Sequence, residues 1–176
     1  KKFFVNTICI YNPLNKREII RKSNVKFDFK YFNSKKKLNI LTIGRFTDQK
    51  DHITLLKAVN IVNREYKKDF KLLIIGKGKN MQLMQKYIHS KRLQNKVKIL
   101  NFQDNPYKFI KSCDLFILSS RFEGLPNVLL ETQCLKRMII SSDCPTGPKE
   151  ILCNGKAGSI FKVGDYEDLS SKINKF

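Results

Sequence analysis

Short apolar runs recur along this chain, separated by stretches in which apolar residues return every three or four positions. The runs VNTICIY (Val5–Tyr11), LNILTIG (Leu38–Gly44), FKLLIIG (Phe70–Gly76), KVKILNF (Lys96–Phe102), DLFILSS (Asp114–Ser120) and MIISSD (Met138–Asp143) are rich in Ile, Val, Leu and Phe. They are too short for helices and read as buried strands. Between them, Asp51–Tyr66 sets Ile53, Leu56, Val59, Ile61 and Val62 on one helical face, and Asn80–Leu93 does the same with Met81, Met84, Ile88 and Leu93. Both are predicted helices. The least regular stretch, Arg17–Lys37, reads as a short helix plus a surface connection.

Strand and helix in alternation imply βαβ units with right-handed crossovers. The predicted fold class is α/β, a Rossmann-like parallel sheet with helices on both faces. Ligands of such sheets sit beyond the carboxyl ends of the strands. The residues just after each strand are therefore the ones to examine.

Composition narrows the picture without deciding it. At 176 residues and 41% hydrophobic, the chain is long enough for one domain, spanning residues 1–176, with its own core. No apolar run approaches the ~18 residues of a membrane span, and no signal peptide is visible. The chain begins at Lys1 and has no methionine before Met81, so it reads as a piece of a longer protein. Cys9, Cys113, Cys134, Cys144 and Cys153 are odd in number and scattered, which suits reduced thiols in a cytoplasmic protein better than disulfides or zinc. A metal site is not expected. The net charge of +20 admits two readings. One is a nucleic-acid or anionic-membrane partner; the other is a solvated basic surface on a chain rich in lysine, asparagine and isoleucine throughout. His52 and His89 are expected on helix surfaces.

Four strand-end loops hold the candidate chemistry. In GRFTDQKDH, Gly44 allows a tight turn, Arg45 and Lys50 can reach one anionic group, and Asp51 can cap the helix beyond. GKGKN, after the next strand, completes neither the Walker pattern nor G-x-G-x-x-G, and is as well explained by a tight turn. In RFEGLPNVLLE, Pro126 suits the first helical position and would leave the amides of Asn127, Val128 and Leu129 open at a helix N-terminus, a place that favours phosphate. Glu131 shares a helical side with Asn127, and Glu123 lies on the turn before it. The two acids thus frame an anion site without occupying it. SSDCPTGPKE adds Gly147 and Lys149 to the same rim.

EGLPNVLLE resembles the E-x7-E signature of the group 1 retaining glycosyltransferases of the GT-B fold. GRFTDQKDHITLLKA resembles their G-R-x-x-x-x-K stretch. SSDCPTGPKEIL and NGKAGSIFKVGD are similar to the family's next segments, and the likeness runs in order from Ile10–Pro13 to Gly164–Leu169. The resemblance implies the C-terminal, donor-binding half of a two-domain enzyme whose N-terminal acceptor domain is absent from this chain.

By that resemblance, Arg45 and Lys50 hold the diphosphate of a nucleoside-diphosphate sugar, taken as a UDP-sugar, and share the catalytic role with Glu123. Glu131 takes the ribose hydroxyls. Glu123 with the backbone of Gly124, Leu125, Pro126 and Asn127 takes the donor sugar, and the amides of Val128 and Leu129 cap the phosphates. Asn101, Phe102 and Gln103 face the base, with Gly44 turning the chain and Gly76 leaving room. No cofactor is required. The PTGPKE variant resembles enzymes that add hexose or N-acetylhexosamine to lipid-linked glycans or surface polysaccharide. The implied acceptor is a glycan or lipid-linked glycan met by the missing domain, with peripheral contact at the inner face of an anionic plasma membrane as a further expectation and no nucleic-acid partner. The chain alone is expected to bind donor and to be inactive.

Three positions depart from the family pattern: Lys136 and Met138 stand where Gly and Pro are usual, and Lys77 replaces a common acid. Two other classes are weighed against this reading. A dinucleotide-binding oxidoreductase would carry G-x-G-x-x-G after its first strand, where this chain has YNP. A basic nucleic-acid-binding module would cluster Lys and Arg with exposed aromatics.

Overall fold

The computed structural model describes residues 13–27, 29–32 and 37–176, so the strand expected over Val5–Tyr11 lies outside them. Among the described residues the sheet has six strands: β1 (Leu38–Ile43), β2 (Phe70–Ile75), β3 (Val97–Leu100), β4 (Leu115–Leu118), β5 (Met138–Ser142) and β6 (Ser159–Phe161). They run parallel in the order β3-β2-β1-β4-β5-β6. Leu38 lies opposite Phe70, Ile40 opposite Leu115, and Leu115 opposite Met138. From β1 the chain builds outward through β2 and β3, then returns to lay β4 on the other side of β1. That reversal opens a crevice above the carboxyl ends of β1 and β4.

Alternate residues of each strand feed two cores, one on each face of the sheet. One face buries Ile40, Leu72, Ile74 and Ile117 against Leu55, Leu56 and Val59 of α2 (His52–Arg64), Met84 and Ile88 of α3 (Met81–Ser90), and Leu169 and Ile173 of α7 (Tyr166–Lys175). The other buries Leu41, Leu73, Phe116 and Ile139 against Ile19 of α1 (Lys16–Ser23), Phe109 and Ile110 of α4 (Tyr107–Ser112), and Leu129 of α5 (Asn127–Cys134). The expected fold class is thus observed. A short α6 (Pro148–Ile151) completes the helices among the described residues.

The described part of Arg17–Lys37 is a correction. Its helix, α1, forms, but the aromatic segment after α1 is no surface connection. Phe27 and Phe29 stack on each other and meet Phe109 edge-on, and Phe32 is buried. The Tyr31 hydroxyl is within hydrogen-bonding distance of the carbonyls of Lys96 and Leu72, at 2.8 and 3.2 Å, fastening this segment to β2 and to the residue before β3. Aromatic spacing, not helical period, does the burying here.

Candidate donor site at the β1–β4 junction

The loop after β1 and the loop after β4 are tied to each other. The buried Ser119 hydroxyl is within hydrogen-bonding distance of the carbonyls of Lys50 and Asp51. The Arg121 amide donates to the Gln49 carbonyl at 2.7 Å, and the Gln49 side chain donates back to the Phe122 carbonyl. Asp51 caps α2 as expected, accepting from the Thr54 amide and hydroxyl, and its carboxylate also receives Arg121 at 3.0 Å.

These ties set Lys50 against Glu123. The Lys50 Nζ lies 2.5 Å from the Glu123 Oε1, which also accepts from the Ser120 hydroxyl. The pair is largely withdrawn from water, with side chains 15% and 7% exposed. An ammonium has three donors, so Lys50 keeps capacity for a second anionic oxygen.

The Glu123 loop is held from its other side by Ser141–Glu150. The Glu123 amide donates to the Pro145 carbonyl at 2.7 Å, and the Thr146 amide donates back to the Glu123 carbonyl at 2.8 Å. Gly147 comes next with φ +90°, and a Cβ there would stand 2.4 Å from the Gly124 carbonyl oxygen. Only glycine allows the two loops this approach.

Arg45 sits apart from the Lys50–Glu123 contact but on the same rim. Its side chain is exposed and makes no hydrogen bond or ion pair with any described residue. It borders a cavity of about 380 Å³ walled by Gly44, Gly76, Lys77, Phe102, Gln103 and Pro106. Phe102 is exposed with the Lys77 ammonium over its ring, and the Gln103 amide turns back onto the carbonyls of Asn101 and Phe102.

From Pro106 the wall continues into α4, whose Tyr107 hydroxyl lies 3.4 Å from the Glu131 carboxylate. Burial raises the Glu131 carboxyl above its ordinary range, and the Tyr107 contact opposes that rise. Glu123, against Lys50, and Glu131, against Tyr107, thus both stand at the carboxyl end of the sheet. Lys77, Pro106, Tyr107, Ser119 and Ser120 were not expected at it; their signal is tertiary, except that Tyr107 opens a helix at a strand-end loop.

Two expectations at the site are corrected. Pro126 is the residue before α5, not its first helical residue. The Leu129 amide is not open, because it donates to the Pro126 carbonyl at 2.9 Å. The Val128 amide has no acceptor among the described residues, so the helix end offers less to an anion than three free amides would. GKGKN is a clasp: the Phe46 amide donates to Lys77, the Asn80 amide to Phe46, and Gly78 crosses the Phe46 backbone at φ +152°.

His52 is also corrected: it is buried, only 3% exposed, edge-on to Phe46 with no partner for its Nδ1 among the described residues. Burial, aided by the Lys50 charge, lowers its pKa from 6.5 to about 4. Between those values the unfolded chain takes up a proton that the folded chain refuses, so stability falls as pH drops from 6.5 towards 4. The full loss is about 3 kcal/mol. Urea denaturation between pH 7 and 5 should show this slope in the native protein and a shallower one in His52→Met; equal slopes would refute it.

The profile of the family described as "Glycosyl transferases group 1" matches residues 24–176. An uncharacterised glycosyltransferase of Methanocaldococcus jannaschii is 42% identical over 113 residues, which is 64% of this chain and 28% of that protein. A Campylobacter jejuni enzyme, named as an N-acetylgalactosaminyltransferase acting on an N-acetylgalactosamine-N,N'-diacetylbacillosaminyl-diphospho-undecaprenol, is 32% identical over 74% of this chain and 34% of its own length. Among solved structures, the apo lipopolysaccharide outer core galactosyltransferase WaaB superposes with a TM-score of 0.72 at 27% identity, covering 81% of this chain and 41% of that one. The chain thus spans about a third of the length of these curated relatives.

Proposed function

Because the chain belongs to the group 1 glycosyltransferases, we propose that the hollow above β1 and β4 holds the donor of a sugar transfer, a nucleoside-diphosphate sugar. The observation that carries this reading is the Lys50–Glu123 contact at 2.5 Å, over the reversal in strand order, with Arg45 on the same rim. A cation and an acid are brought together where a diphosphate meets a sugar. The β1 loop, Gly44-Arg45-Phe46, is not the glycine fingerprint of a dinucleotide site, which weighs against an oxidoreductase.

In this reading the base enters the cavity between Gly44, Phe102 and Gln103, whose ~380 Å³ lies within the ~300–1,000 Å³ of small-ligand sites. Glu131, steadied by Tyr107, receives the ribose hydroxyls. The diphosphate lies between Arg45, Lys50 and the Val128 amide. The donor sugar sits on Glu123 and the backbone of Gly124–Asn127. A charge pair ~4 Å apart at an effective dielectric of 20 attracts by roughly 4 kcal/mol before desolvation, against ~0.3–2 kcal/mol for a helix end. The side-chain cations therefore dominate phosphate binding.

As the bond from the anomeric carbon to the diphosphate stretches, negative charge gathers on the departing oxygens. Arg45 and Lys50 stabilise that charge without reorganising. Transfer with retention of anomeric configuration, a hexose or N-acetylhexosamine as the transferred unit, and a glycan or lipid-linked acceptor held by the rest of the protein complete the proposal. A cytoplasmic site of action follows from the nucleotide-sugar donor.

Isothermal titration with UDP and GDP tests this. One of them should bind, and Arg45→Ala should weaken it by about 2 kcal/mol, roughly thirtyfold, the scale of a hydrogen bond to a charged group. No binding of either nucleotide, or an unchanged affinity in the variant, would refute the assignment.

A further inference from the structure

The opposite end of the sheet, where the strands begin, carries a second concentration of charge that the donor site does not use. A cavity of about 420 Å³ opens there, and its lining includes Lys37, Lys68, Lys136 and Arg137, with Phe176 and one side-chain carboxylate, Asp114. Asp114 is already engaged, accepting from the Asn39 amide at 2.9 Å. Asp69 beside it is shared between Lys37 and Lys96. Among the described residues the exposed Lys136 ammonium meets no partner and the buried Nε of Arg137 has no acceptor. Met138, 55% exposed, stands among these cations in the same lining.

The backbone gives a reason to regard the lysine as selected for its head group. Lys136 comes after the end of α5 with φ +55°, in the left-handed region where glycine is unstrained and other residues are not. Lys67 after α2 and Arg92 after α3 do the same, with φ +51° and +53°. Cations do favour helix C-termini, but that benefit is available from the last helical turn with glycine left in the strained position. Three basic residues in glycine positions, each just past a helix that ends at the strand-starting face, therefore add charge to that face at a conformational cost.

We propose that this face is a docking surface for an anionic phospholipid bilayer. Charge complementarity selects an anionic partner, and the exposed methionine within the ring of cations selects lipid, because an apolar side chain can enter the headgroup region while the lysines meet phosphate. The surface is independent of the donor site, which lies at the far ends of the same strands.

Vesicle co-sedimentation of the protein in ~0.1 M salt tests the assignment. The protein should bind phosphatidylglycerol-rich vesicles and not phosphatidylcholine vesicles. The triple variant Lys37→Gln, Lys68→Gln, Lys136→Gly should bind about a hundredfold more weakly, at the usual contribution per basic residue near an anionic surface. It should melt no lower than the native protein, since glycine relieves the strain at position 136. A charge-matched control, Lys57→Gln, Lys86→Gln, Lys162→Gln, should lose no more than about threefold, because those exposed lysines lie away from this end. Met138→Asn should cost about tenfold. Equal losses in the two triple variants would reduce the effect to net charge and overturn the proposal. So would an absence of preference for anionic vesicles, or patch-dependent binding of an oligonucleotide without vesicle binding.

Discussion

Alanine in place of Gly76 is expected to destabilise the fold by about 4 kcal/mol or more, the range of an exceptional core lesion. A Cβ at this position would lie 1.9 Å from the Gly44 carbonyl oxygen and 2.9 Å from the Phe46 ring. Neither neighbour can retreat cheaply. Gly44 donates its amide to the Ile75 carbonyl at 3.0 Å, continuing the β1–β2 ladder, and Phe46 is fully buried. The effect is steric alone, since Gly76 is not among the glycines with left-handed φ. Gly124→Ala is the matched control: a Cβ there meets nothing within 4 Å, so its stability should stay within about 0.5 kcal/mol of the native value. Urea denaturation of the two variants separates them. A Gly76→Ala protein as stable as Gly124→Ala would show that the two loops do not approach as described.

Lys50→Met should lower stability by about 3–5 kcal/mol, the usual result of stranding one member of a buried ion pair. Glu123, 7% exposed, would keep the Ser120 hydroxyl but lose the charge that compensates it. Glu123→Gln in the same background removes the stranded charge and should restore a large part of the loss. A double-mutant cycle read by denaturation should therefore give a coupling energy above about 1.5 kcal/mol. Additive effects would mean that the two groups are independent. Donor binding need not return with stability, because the doubly substituted site has neither the cation nor the acid.

The two effects differ in how far the sequence announces them. Contiguous apolar runs declared β1 to β5, as buried parallel strands do, and the period of α2 and α3 was equally plain. β6 has three residues, of which Phe161 alone is buried, and α7 hides Leu169 and Ile173 among lysines and acids. α4 is too short for its period to register. Resemblance singled out Glu123, Glu131, Arg45 and Lys50, but the contact of Lys50 with Glu123 was not legible in it. Lys50 meets Glu123 because Ser119, Gln49 and Arg121 bind two loops through pairs 68 to 73 residues apart, and such pairings leave no local trace. His52 misled for the same reason: its helical position looked like a surface one until Phe46 covered it.

Since the backbone of Glu123 exchanges hydrogen bonds with Pro145 and Thr146 on a neighbouring turn, those two segments cannot be altered separately. A chimera that imports only one of them from a relative would slip the rungs and swing the carboxylate away from Lys50. If the proposed donor assignment holds, sugar preference should therefore be transplanted, or drift through evolution, as a pair of matched loops inherited together.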